Sequence, residues 1–269
     1  MRKRIFTFWE PKKNMPGYIR LCLKTWEKFL PDYEIVICDY SNLKDYLTPE
    51  EIRQFLYRKF PLQQQSDALR TILLKKYGGI WLDADTILTS PSFFQELTDT
   101  SCAMIGHETS IHLAFVYAQK GSEFIRKWSE IVRQKVEVYR RFQYLLFLKR
   151  LFKEKRRRLR KWDYLGNSIV NPLAQSATSG EFSLIDKYEI VAFPELISED
   201  NNLTIQEKYK NFYFTKSHVS VDTILNKTKG IILLHNSWTP KKYKNMTENE
   251  FLSQDIFLVD LLKKVLEKR

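Results

Sequence analysis

Apolar residues along the chain alternate between strand-like runs and helical spacing. Ile5–Trp9 is a short, nearly continuous apolar run that predicts a buried strand. After Pro16 and Gly17, Ile19, Leu23, Trp26 and Leu30 recur at helical spacing, and Pro31-Asp32 stops the helix. Glu34–Cys38 then reads as a second strand. Strand, helix and strand in this order open a βαβ unit and imply an α/β domain with parallel strands. Glu50–Lys59 predicts a short helix. Ser66–Tyr77 predicts a stronger one, with Ser66 as N-cap, Asp67 in the first turn and Gly78-Gly79 as the stop. Ile80–Leu88 is expected to be a third strand, Cys102–Tyr117 to add more strand, and Ser122–Tyr139 to form a long helix. Tyr188–Phe193 and Lys229–Leu234 read as short strands, and Glu248–Lys268 as a closing amphipathic helix.

The composition sets limits on this picture. A hydrophobic share of 43% with 14% aromatic residues, and only 8 Gly and 9 Pro in 269 residues, exclude a disordered or fibrous chain. The formal net charge of +12 points to an anionic partner. Residues 139–161 hold eleven Lys and Arg against Glu154 alone, so ten of the twelve net charges lie there. The rest of the chain is nearly neutral. Phe142, Leu145, Leu146 and Phe152 share a face of this segment, so it reads as a protruding basic amphipathic helix suited to an anionic membrane surface. The alternative is a helix that docks its apolar side on the core and solvates its charges. No nucleic-acid-binding motif accompanies the charge. Cys22, Cys38 and Cys102 share no metal-ligand spacing and read as reduced thiols of a cytosolic protein. The start MRKRIFTFWEP lacks an apolar core, so no signal peptide is expected, and no run is long enough to span a membrane.

The chemistry concentrates at Trp81-Leu82-Asp83-Ala84-Asp85. In a strand Trp81, Asp83 and Asp85 point to one face and Ile80, Leu82 and Ala84 to the other. Two carboxylates on one side repel each other, which a divalent cation relieves; that cation can in turn neutralise a diphosphate. The competing reading is a pair that ends the strand in solvent.

Ser66-Asp67-Ala68-Leu69-Arg70, followed by Leu74, Gly78-Gly79, Trp81 and Asp83-Ala84-Asp85, widens the signal to about twenty residues. It resembles the DXD glycosyltransferases of the capsular polysaccharide synthesis and family 32 type, relatives of the catalytic core of clostridial glucosylating toxins. The match is complete in order and spacing. The resemblance implies a GT-A type, Rossmann-like nucleotide-binding fold with a mixed, mainly parallel sheet. It also implies a retaining transfer from a nucleotide diphosphate sugar, UDP-sugar favoured, with Mn²⁺ or Mg²⁺. On this likeness Asp67 and Arg70 hold the donor sugar, Asp83 contacts sugar and ribose, and Asp85 binds the metal. One domain over residues 1–269 is expected, with a nucleotide-sugar half at 1–110, the basic excursion at 122–162 and an acceptor half at 163–269.

Further positions follow with less specificity. Trp9, ending the first strand, matches an aromatic residue that stacks on uracil, although Glu10-Pro11 replaces the usual Gly-Gly. Asn42 is a nucleoside-contact candidate and Trp81 belongs to the donor-binding set. His235-Asn236-Ser237-Trp238 resembles the closing motif, in which His235 or Asn236 would complete the metal shell, Ser237 would add an oxygen and Trp238 would donate to phosphate. His107, Glu108 and His112 are acceptor-side candidates, and the 166–172 loop would shape the acceptor pocket. The acceptor is expected to be a glycan, with a polyprenyl-diphosphate-linked one as the candidate, reached from the inner face of the plasma membrane. Two other classes stay open: a metal-dependent phosphoryl or nucleotidyl transferase, and a non-catalytic membrane adaptor.

Overall fold

A computed structural model describes residues 3–95, 97, 100–107, 110–146, 163–178, 180–186, 202–216 and 219–267. The first half runs β1 (Arg4–Phe8), α1 (Gly17–Phe29), β2 (Glu34–Cys38), α2 (Pro49–Phe55), α3 (Leu62–Tyr77), β3 (Gly79–Leu82), β4 (Thr86–Leu88) and α4 (Ser92–Gln95). Then come β5 (Cys102–His107), β6 (Ser110–Ala118), α5 (Glu123–Leu146), α6 (Asn167–Ser176) and β7 (Ser183–Asp186). The chain closes with α7 (Ile205–Tyr213), α8 (Val221–Lys227), β8 (Ile231–Leu233), α9 (Lys241–Lys244), α10 (Glu248–Leu252) and α11 (Phe257–Glu267).

Six strands form one mixed sheet in the order β2-β1-β3-β6-β5-β7. β1 lies parallel to both β2 and β3, with Arg4 opposite Glu34 and Phe6 opposite Trp81. β6 runs antiparallel to β3 and β5, and β7 is parallel to β5. The sheet divides two apolar layers, as strand alternation requires. Ile5, Ile80, Leu82, Ala103 and Ile105 face α1 and the C-terminal helices. Phe6, Phe8, Trp81, Cys102 and Met104 face α3, α5 and α6. The α/β class expected from the opening βαβ unit is therefore the one observed.

Several expected boundaries move, each for a local reason. The run Ile80–Leu88 is two strands, because the chain turns at Asp83–Asp85 with Thr86 N–H donating to Asp83 O at 3.1 Å. β4 leaves the main sheet and pairs with β8, placing Thr86 opposite Leu233. It is pinned to α1 by Trp26 Nε1–H to Thr86 O at 2.7 Å and Leu88 N–H to Thr25 Oγ1 at 2.9 Å. The α3 helix starts at Leu62 after Pro61, so Ser66 lies inside it and is not its N-cap. Gly78 and Gly79 stop it as expected, at φ 67° and 103°, a region glycine enters without strain. Cys102–Tyr117 is a hairpin, the Glu50 helix ends at Phe55, and the C-terminal helix is divided into α10 and α11. Tyr188–Phe193 and most of the basic segment lie outside the described residues. The start of that segment docks on the body: Tyr139 packs on Phe60 at 4.5 Å and Arg140 donates to Leu56 O at 2.9 Å. Among the described residues no helix is long and apolar enough to cross a membrane.

Candidate active site

The C-terminal ends of β1 and β3 open into one cleft of about 1010 Å³. In open α/β sheets this edge is where ligands bind. Trp9, Glu10 and Pro11 form one wall, Asp67, Arg70 and Asp83 the floor, and Asp85 with His235–Trp238 the opposite wall. His112, Asp163, Gly166 and Asn167 close the far end.

The floor is an ion network. Asp67 and Arg70, one helical turn apart on α3, are 5% and 2% exposed. The Arg70 guanidinium donates from Nη1 to Asp67 Oδ1 at 2.8 Å and from Nη2 to Asp83 Oδ1 at 2.9 Å. Trp81 Nε1–H donates to the same Asp83 oxygen at 2.8 Å, and its ring lies 4.9 Å from the guanidinium. Burial pushes the Asp67 carboxyl up to about 6, outweighing the attraction of Arg70. Gly166 presses on this carboxylate: a Cβ there would sit 2.9 Å from Asp67 Oδ2.

The opposite wall is built differently. Pairing of β4 with β8 brings the His235 turn against Asp85, and Leu234 N–H donates to Asp85 O at 3.1 Å. Asp85 Oδ2 accepts the main-chain N–H of Asn236 at 2.6 Å. No ion pair to Asp85 is formed by the described residues. Burial and the nearby Asp83 charge push its carboxyl up to about 7; the Asn236 N–H and Lys244 oppose this without reversing it. The Asn236 side-chain oxygen accepts from Tyr18 at 2.5 Å. Burial, with His112 nearby, pushes His235 down to about 4, which leaves a neutral imidazole at neutral pH. Its ring packs against that of Trp238, tilted by 35° with centroids 4.1 Å apart.

The structure brings together Trp9, Asp67, Arg70, Asp83, Asp85, His235, Asn236, Ser237 and Trp238 around the cleft. Two expected positions are corrected. Asn42 is not in the cleft wall, because its side chain closes the turn after β2, with Nδ2 donating to Ile37 O and Oδ1 accepting from Asp39 N–H, each at 2.9 Å. Trp81 is fully buried, with its indole N–H on Asp83, and is not part of the cleft lining. Asp83 and Asp85 also share no strand face; the turn at residues 83–85 is what aims both at the cleft. Of the acceptor-side candidates, His112 lines the cleft, His107 lies 3.5 Å from Asp186 on the sheet's far side, and Glu108 is outside the described residues. Asp163 and Asn167 were not anticipated; only the resemblance of the 166–172 loop pointed near them.

Asp83 and Asp85 offer hard oxygen donors with an unmet need for positive charge at Asp85, which suits Mg²⁺ or Mn²⁺. Among the described residues no three His, Cys, Asp or Glu side chains converge as a complete site. Such an ion would therefore take its remaining ligands from Asn236, substrate phosphate or water.

A family model described as "Capsular polysaccharide synthesis protein" matches residues 1–172. No curated protein matches. Among solved structures, the chain is similar to the PaToxG glycosyltransferase at 18% identity and TM-score 0.39, covering 65% of this chain and 68% of that one. It is similar to the glycosyltransferase GlyE of Streptococcus pneumoniae TIGR4 at 12% identity and TM-score 0.48, spanning all of this chain and 61% of GlyE. LgtC matches at 10% identity and TM-score 0.40, covering 90% of this chain and 92% of that one. The chain belongs to the capsular polysaccharide synthesis family, as its Ser66–Asp85 pattern implied, and the glycosyltransferase assignment made from that pattern agrees with this membership.

Proposed function

From this membership we propose that the chain is a metal-dependent, retaining glycosyltransferase working as one GT-A unit in capsule assembly. It would move a sugar from a nucleotide diphosphate donor, UDP-sugar favoured, to a hydroxyl of a growing glycan. The observation that carries this reading is the pairing, in one cleft, of two carboxylates that share a guanidinium with a third that has no ion pair among the described residues. Arg70 pairs with both Asp67 and Asp83, one positive charge shared by two carboxylates, while Asp85 lines the cleft without an ion pair among the described residues.

Asp67 Oδ2 and Arg70 bind the donor's sugar hydroxyls, and Asp83, held by Arg70 and Trp81, receives the sugar and ribose. Trp9 stacks on the base. Asp85, with Asp83 and an Asn236 atom, would hold the divalent cation, with His235 beside it rather than as a ligand, and Ser237 and the Trp238 indole N–H face the diphosphate. When bound, the cation supplies positive charge that stabilises the departing diphosphate. The acceptor enters from the His112, Asp163 and Asn167 end. The bond from the anomeric carbon to the diphosphate oxygen breaks, a bond to the acceptor oxygen forms on the same face, and the hydroxyl proton passes to the leaving phosphate oxygen.

The cleft volume of about 1010 Å³ lies at the upper end of ligand pockets and has room for donor and acceptor together. The basic segment at residues 139–161 is proposed to dock on the anionic inner face of the plasma membrane, beside a lipid-linked acceptor.

A thermal-shift screen of nucleotide sugars with Mn²⁺, followed by product analysis, tests this. Stabilisation by one nucleotide sugar and release of a nucleoside diphosphate are expected. Release of a nucleoside monophosphate or of pyrophosphate would overturn the reading in favour of phosphoryl or nucleotidyl transfer.

A further inference from the structure

The turn that brings Asn236 to Asp85 rests on two buried phenols. Tyr18, in the first turn of α1, is fully buried, and its hydroxyl donates to Asn236 Oδ1 at 2.5 Å. Tyr209, on α7, is also fully buried, and its hydroxyl accepts the His235 main-chain N–H at 3.0 Å. The turn closes on itself through Trp238 and Thr239 N–H groups, both donating to His235 O, at 2.9 and 3.1 Å. The Asn236 N–H points the other way, to Asp85 Oδ2 at 2.6 Å. Neither phenol lines the cleft.

A phenylalanine would fill the same apolar space, so what tyrosine adds at either position is a hydrogen bond to this one turn. Tyr213 shows the contrast. It is equally buried, four residues after Tyr209, and its hydroxyl has no hydrogen-bond partner among the described residues.

We infer that Tyr18 and Tyr209 are positioning residues for the Asp85 end of the site. They set the Asn236 amide and the His235 backbone, which aims the Asn236 N–H and thereby orients the Asp85 carboxylate. This rests on the reading of Asp85 as the cation-holding carboxylate. Without the Tyr18 hydroxyl, the Asn236 side-chain oxygen loses a buried partner and the turn can rotate away from Asp85. Outer-shell groups of this kind change metal affinity about 10–100-fold when removed.

The test compares Tyr18→Phe, Tyr209→Phe and the matched control Tyr213→Phe. Mn²⁺ affinity is measured by electron paramagnetic resonance of the free ion, and folding by thermal midpoint. The Mn²⁺ dissociation constant is expected to rise about tenfold for Tyr18→Phe. A smaller rise is expected for Tyr209→Phe and none for Tyr213→Phe. The conservative substitutions keep the apolar rings, so a purely structural role would move midpoints and leave Mn²⁺ affinity alone. A folded Tyr18→Phe that binds Mn²⁺ as tightly as Tyr213→Phe overturns the inference. If Tyr18→Phe does not fold, Tyr209→Phe decides by the same criterion. A wild-type protein that binds no Mn²⁺ overturns the Asp85 reading as well, which separates the two failures.

Discussion

Asp83 and Asp85 stand two residues apart on one turn and face one cleft, yet their surroundings are opposites. Asp83 Oδ1 receives both Arg70 and the Trp81 indole, and Arg70 in turn balances Asp67. Asp85 has main-chain N–H groups and no ion pair on its carboxylate among the described residues, and burial beside Asp83 raises its pKa to about 7. On the floor each carboxylate already has an ion-pair partner, the guanidinium they share. The opposite wall is unfinished and carries a charge that costs stability until something cationic joins it. Residues that sit close in sequence can thus divide the work of a site, one fixed as a recognition surface and one left as a binding vacancy for charge.

The comparison is broken most severely at Asp85. Asp85→Asn keeps shape and the hydrogen bond from Asn236 but removes the charge, and transfer and donor hydrolysis are expected to fall about a thousandfold or more, roughly 4 kcal/mol in the barrier. Initial-rate assays with saturating donor check this. Full activity would remove Asp85 from the mechanism.

On the floor, Arg70→Ala strands Asp67 in the core. Breaking a buried pair in this way costs about 3–5 kcal/mol, read by urea denaturation at pH 8. The loss should shrink below pH 6, because Asp67, with its carboxyl raised to about 6, then carries a proton and no charge. A loss that is the same at pH 5 and pH 8 would show that Arg70 acts by packing alone.

The same linkage gives Asp85 an inverted signature. Its folded pKa, about 7, lies above the ordinary range of an aspartate, so the stability tied to its protonated form is present at acid pH and lost as pH rises through 7. Metal-free Asp85→Asn is therefore expected to be more stable than wild type at pH 8, by about 2 kcal/mol after allowing for solvent screening, and equal to it at pH 5. Paired thermal melts in a chelator measure this; a variant less stable than wild type at pH 8 contradicts it. The smallest effect belongs to Asn42→Ala, about 1 kcal/mol of stability through the lost turn bonds, with donor KM unchanged. A raised KM would return Asn42 to the nucleoside site.

Periodicity made the first forty residues readable, because α1 and β2 carry unbroken apolar spacing ended by Pro31. The same signal misled at IWLDADTIL, where apolar residues flank the acidic pair on both sides and conceal the turn that divides β3 from β4. The start of α3 was hidden because Leu62–Gln65 is mostly polar, though Gln64 and Gln65 are buried. Asp67, Arg70, Asp83 and Asp85 were legible because their side chains form a spaced pattern. Their division into paired and unpaired groups was not, since it depends on where the Arg70 fork reaches and on a main-chain N–H of Asn236. Tyr18 and Tyr209 look like ordinary core residues in the sequence; only β4 pairing with β8 places the turn they support beside Asp85. The closeness of Gly166 to Asp67 is likewise a contact between segments about a hundred residues apart, which no local pattern records.

The central claim is that the two aspartates are not equivalent, and Mn²⁺ affinity measured by titration calorimetry in wild type, Asp83→Asn and Asp85→Asn tests it directly. Asp85→Asn is expected to lose Mn²⁺ binding by about a hundredfold or more, and Asp83→Asn to retain it within about tenfold. Equal losses in the two variants, or Mn²⁺ bound by Asp85→Asn as by wild type, would contradict the account.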